Sequence, residues 1–217
     1  MLTVIEPAAT TALTTLDRVK LSLGITDDAD DEYLEMMIAE QSDYVCSYLN
    51  VAMADDGTRT LGLETLEETL FVPMLSRLPV VEILSMADGN GEAFDPADYL
   101  VNPVSGRFMG PPSTRWMNLV YNFTPPPVPL VVTYKAGWLL PGDDGRNLPP
   151  VIESGCMSLI STYRAGRGRD PLAKSETIPG VISTEYWVGP VGGASSGASG
   201  MPPDIASRLS FYRRHVV

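Results

Sequence analysis

The chain has 217 residues, 44% of them hydrophobic, with a formal net charge of −12, two cysteines and one histidine. That length supports a sizeable core without covalent staples. Two distant cysteines and a single histidine exclude a metal site of the usual Cys/His spacing. The charge is uneven, because residues 1–72 hold 15 acids against 3 bases, while residues 73–217 hold 12 of each. An acidic surface repels phosphate, so tight nucleic-acid binding by the first part is not expected. The start has no basic segment followed by an apolar run, and no window approaches a membrane span, so the expectation is a soluble, cytosolic chain.

Met1 to Thr11 is too short and irregular to assign. From Thr14 or Thr15 a first helix sets Leu16, Val19 and Leu23 on one side, with a hydroxyl at the N-cap position and Asp17 in the first turn. Gly24 ends it. Residues 26–32, TDDADDE, form a turn that becomes the cap of a second helix. There Leu34, Met37, Ile38, Val45, Tyr48 and Leu49 make an apolar stripe interrupted by Gln41. The acidic turn invites a calcium reading. An EF-hand needs Gly at its sixth position and Glu at its twelfth, and counting from Asp27 these are Glu32 and Ile38. Capping and solvation are the preferred reading.

Ala54 to Thr69 is acidic and poorly patterned and reads as a loop with a turn of helix. From Pro79 the period shifts towards strands. Val80–Met86 runs into the turn Asp88-Gly89-Asn90-Gly91, and Tyr99–Val101, Arg107–Met109, Asn118–Phe123 and Leu130–Ala136 read as further strands. Residues 79–136 are thus expected to form a small antiparallel sheet inserted between helices, with Trp116, Tyr121 and Phe123 in its core. Pro149-Pro150 then open a third helix, whose Val151, Ile152, Gly155, Cys156, Leu159, Ile160 and Tyr163 recur at helical spacing up to Gly166. Ser154, Gly155 and Ser158 invite close approach by another helix. Cys46 and Cys156 fall on apolar helix faces and read as packing groups.

Arg164, Arg167, Arg169 and Lys174 follow the third helix, and Val181–Val188 reads as a strand or hairpin. Residues 189–200, GPVGGASSGASG, have no means of forming a core. Pro203 opens a last helix, with Ile205, Leu209, Tyr212 and Val216 as its stripe and Arg213 and Arg214 at its end. A helix this short is marginal alone and must dock; the small-residue tether lets it reach away from its own core. No nucleophile–base constellation, phosphate loop or singled-out carboxylate pair is present, so no catalytic residues are assigned.

The order L-V-V-T-Y-x-A-G-W, L-P-P-x-I and Y-R along residues 130–164, with KSETI at 174–178 and LSFYRR at 209–214, resembles the head–tail connector (adaptor, or head-completion) family of tailed bacteriophages. The opening L-G-I-T-D-D-A-D-D-E-Y-L is similar to that family's as well. The resemblance implies an α+β fold, an α-helical bundle with a small antiparallel β-sheet insertion and a tethered C-terminal helix. Residues 1–188 would be the connector core, 189–202 a linker and 203–217 a docking helix.

In function, the resemblance implies a virion protein forming a ring, dodecameric by analogy, under the portal vertex. That ring would join capsid to tail and extend the DNA channel, with no cofactor and no specific grip on DNA. Its partners would be copies of itself, the portal and a tail or stopper protein, and before assembly it would lie in the host cytoplasm. Ile205, Leu209, Tyr212, Arg213 and Arg214 would engage the portal. Asp27, Asp28, Asp30 and Asp31 would face the channel or pair across subunits with Arg164, Arg167 and Arg169, because a ring needs two complementary faces. The alternatives are a small cytoplasmic binding module and an enzyme with a carboxylate-only site.

Overall fold

The computed structural model describes residues 1–72, 74–109, 129–167, 175–178, 182–185 and 201–214. The chain divides into two compact units, Met1–Leu13 with Asn50–Leu148, and Thr14–Leu49 with Pro149–Val217.

The first unit is built on a five-stranded antiparallel sheet. Its strands are β1 (Leu2–Glu6), β2 (Glu64–Leu70), β3 (Val80–Asp88), β4 (Ala93–Phe94) and β7 (Leu130–Ala136), in the order β1-β2-β7-β3-β4. A separate hairpin pairs β5 (Leu100–Val101) with β6 (Phe108–Met109). β7 is the central strand, and its alternation works as the sequence suggests. Leu130, Val132, Tyr134 and Ala136 are buried, while Val131, Thr133 and Lys135 are half-buried. The register sets Glu64, Leu66, Glu68 and Leu70 of β2 opposite Ala136, Tyr134, Val132 and Leu130. On the other side Ile83 and Met86 of β3 face Tyr134 and Val132. Ala54, Leu75, Tyr99 and Phe108 complete this core. Two register shifts in the pairing of β3 with β7 leave Val81 and Leu84 exposed.

Two expectations are corrected here. The segment left unassigned at the start forms β1, paired with β2, and the segment read as a loop contains β2 itself. The sheet is therefore not an insertion confined to residues 79–136. The cause is polar chemistry on core-facing positions. The Tyr134 hydroxyl donates to Glu68 Oε2 at 2.7 Å, and the Ser76 amide donates to the same oxygen at 2.9 Å. Arg77 is 3% exposed, with its guanidinium on the Thr60 and Thr58 carbonyls and 3.1 Å from Glu64 Oε2. Burial pushes the Glu64 carboxyl up and nearby Arg77 opposes this. Burial, reinforced by Glu68, raises the Tyr134 phenol and keeps it a donor. The expected strand at 118–123, with Trp116, Tyr121 and Phe123, lies outside the described residues.

The second unit holds α1 (Leu16–Leu23), α2 (Asp31–Tyr48), α3 (Pro150–Ala165) and α4 (Pro203–Leu209), the last continued by a 3₁₀ turn at Ser210–Tyr212. A hairpin of β8 (Ser175–Ile178) and β9 (Ile182–Glu185) lies between α3 and α4 in sequence. Gly24 stops α1 with φ 68, a left-handed conformation that favours glycine. α2 buries Leu34, Met37, Ile38, Gln41, Ser42, Val45 and Cys46, and α3 buries Ile152, Glu153, Gly155, Cys156, Leu159 and Ile160. The two helices pack together, with Ser42 Oγ 3.8 Å from Cys156 Sγ. Cys46 and Cys156 are both buried and not disulfide-bonded, and burial pushes the Cys156 thiol up to about 12. Both therefore serve as small packing groups. The linker residues 189–200 lie outside the described residues.

Tyr134→Phe removes one of the donors to buried Glu68 and is expected to destabilise the protein by about 1–3 kcal/mol. Urea denaturation checks this, and an unchanged midpoint would show that the Glu68 network adds nothing.

Candidate interaction surfaces

α3 is gripped at both ends. Glu153, in its first turn and 1% exposed, accepts from Thr14 Oγ1 at 3.3 Å and takes both Nε and a terminal nitrogen of Arg18. Thr14 stands just before α1, so this carboxylate fixes α1 against α3. The extended Thr15 precedes α1 as the sequence suggests, but no side-chain cap hydrogen bond forms there.

At the other end of α3, Arg164 and Arg167 each donate to Asp30 at 2.9 Å, and the Arg167 guanidinium lies 4.5 Å above the Tyr33 ring. Beside them Lys20 bridges Asp28 at 2.6 Å and Asp31 at 2.8 Å. Hydrogen bonds from these cations hold the Asp28 and Asp30 carboxyls below the usual carboxylate range. Hydrogen bonds to Asp28 and Asp31 hold the Lys20 ammonium above its ordinary value. Asp27 accepts from the Ala29 amide and shapes the turn. Arg164 and Arg167, expected to pair with these aspartates across subunits, thus already have an intrachain partner in Asp30. Within one chain the α1–α2 turn already lies against the end of α3, and short contacts win over distant ones. Arg169 and Lys174 lie outside the described residues.

The last helix, expected to reach away from its core, packs on its own unit in this chain. Ile205 is 2% exposed and Leu209 fully buried. A side chain added at Gly155 of α3 would meet Leu209 at 3.3 Å, so the small residue creates the notch that Leu209 fills. The Tyr48 hydroxyl donates to the Ala206 carbonyl at 3.1 Å, the Arg213 guanidinium lies 5.1 Å above the Tyr48 ring, and the Arg214 amide donates to the Leu49 carbonyl. Two of the five residues assigned to portal docking are thus buried within their own unit, and two others are fastened to the end of α2. Val216 and His215 lie outside the described residues.

What remains outward is different. Phe211 is 92% exposed and Tyr212 39%. On α2 the outward face presents Glu32, Glu35, Met36, Ala39, Glu40 and Asp43, with Met36 55% exposed. Sequence reasoning passed over this face because it weighed only the buried stripe of α2. Among the described residues no three His, Cys, Asp or Glu side chains are grouped to hold a metal. These outward groups offer contact surfaces.

Asp30→Asn tests the grip on α3. A lowered carboxyl pKa stabilises the fold above the ordinary carboxylate range, and that contribution disappears as pH falls through the lowered value. The variant should melt below wild type near neutral pH in low salt, with the gap closing in acid and in high salt. A gap insensitive to both would contradict the ion-pair assignment. Leu209→Ala should cost about 2–5 kcal/mol of unfolding free energy. A wild-type melting curve would mean that the notch at Gly155 holds nothing.

Residues 13–70 match the family model of the phage gp6-like head-tail connector protein. Among curated proteins none matches the chain. Among solved structures, a chain from the neck of an empty gene transfer agent (GTA) particle, computed with C6 symmetry, is similar with a TM-score of 0.54 and 15% identity. That match covers 100% of this chain and 97% of the other. A chain from the virion of a native GTA particle gives a TM-score of 0.52 and 14% identity over 82% of this chain and 89% of that one. These matches show a shared fold. The matched segment, moreover, contains Thr14, Arg18, the acidic turn, α2 and β2, including residues whose polar pattern hides a strand. Over residues 13–70 the chain is similar to the phage gp6-like head-tail connector family, in agreement with the resemblance read from the order of the sequence motifs.

Proposed function

We propose that this chain is a structural subunit of a virion, assembling as a ring beneath the portal vertex, where it joins the capsid to the tail and extends the DNA channel. The observation that carries this reading is the connector match over residues 13–70, supported by a fold shared with a chain of a particle neck. The partners are copies of itself, the portal and a tail or stopper protein. The physical features suit such a role. A net charge of −12 lets DNA pass without being held. Each unit is stiffened by buried ion pairs and hydrogen bonds, and the outward groups are contact residues. On this reading the protein binds no cofactor and catalyses no reaction.

In particles assembled without this protein, filled heads and finished tails should accumulate unjoined, and adding the purified chain should restore joining. Normal joining in its absence would overturn the proposal.

A further inference from the structure

Two surfaces of the helical unit remain uncovered among the described residues once the intrachain pairs are accounted for. One is the outward face of α2. Met36 and Ala39 form its apolar centre, and Glu32, Glu35, Glu40 and Asp43, all exposed, surround them. None of these four carboxylates pairs with a cation among the described residues. The other is the turn after α4, where Phe211 and Tyr212 project beside the arginines at 213 and 214. It is anchored past the last turn of α2 by the Arg213–Tyr48 stacking and the Arg214–Leu49 hydrogen bond. The two surfaces therefore occupy different parts of the unit.

They are complementary. An apolar centre rimmed by charge is how specific interfaces are built, and aromatic residues with arginine dominate their energetics. A methionine side chain accommodates an aromatic ring well. Four carboxylates opposite the exposed Arg213 set the orientation and speed encounter. We propose that the outward face of α2 receives the Phe211–Tyr212 turn of a second copy of this chain, head to tail. Such a contact uses two different surfaces of each subunit, so repeated copies close into a ring when the rotation between them allows. It replaces the pairing of Asp30 with Arg164 and Arg167, which is intrachain, as the source of two unlike faces. The proposal rests on the connector reading for its setting, and not for its geometry.

Variants with one added cysteine test it, because Cys46 and Cys156 are buried. Met36→Cys and Phe211→Cys are prepared separately, mixed at high concentration and oxidised, and the same pair is examined in assembled particles. The expected result is a covalent dimer in the mixture and in particles, at least several-fold above either variant alone. The yield should fall with added salt and with Arg213→Glu in the Phe211→Cys chain. Dimers from Phe211→Cys alone, or none in either setting, would overturn the contact. If particles incorporate both variants at the neck and join tails without the cross-link, the contact fails while the connector function stands. A cross-link in solution from a chain that particles do not need for joining would reverse that outcome.

Discussion

The helical unit depends on one buried carboxylate. Glu153 is withdrawn from water in the first turn of α3, where a negative charge is favoured by the helix dipole but costly to bury unpaired. Arg18 and Thr14 satisfy it from the start of α1, and the Arg18 side chain, 46% exposed, keeps part of its hydration. The pair therefore lies between the weak surface and the demanding buried limits. Because α1 is fixed here, its end at Gly24 delivers the acidic turn to the far end of α3, where Asp30 meets Arg164 and Arg167. With both ends held, α3 presents Gly155 for Leu209. The position of the last helix thus follows from contacts made more than 130 residues earlier in the chain.

The sheet unit follows a parallel rule. Its central strand is apolar on one face, but its neighbour β2 puts Glu64 and Glu68 on that same face. Arg77, Tyr134, the Ser76 amide and the Ala8 backbone make those positions tenable. This decides which parts of the fold were legible. β7, α2 and α3 have apolar residues at the period of their structure, and their boundaries could be read directly. β2 has the right period and the wrong chemistry, since E-T-L-E-E-T-L looks solvated until Arg77 and Tyr134 are known to face it. β1 has five residues and declares itself only by pairing with β2.

The interaction surfaces were less legible for a related reason. Blocks of opposite charge far apart in sequence suggested two faces of a ring. Folding brings those blocks together, so that Asp28, Asp30 and Asp31 are neutralised by Lys20, Arg164 and Arg167 of the same chain. The Gly/Ser-rich stretch suggested a helix free to leave, but composition cannot reveal a notch such as the one at Gly155. The order of motifs was more durable than either inference, since it depends on residue identity along the chain and not on where charges finally meet.

The central claim is that this chain forms a ring joining capsid to tail. Electron cryomicroscopy of isolated portal mixed with the purified protein tests it most directly. The account predicts a closed ring of copies coaxial with the portal, continuing its channel, with the α1–α2 unit recognisable in each copy. Portal particles without added density, or with single copies bound off the axis, would contradict it.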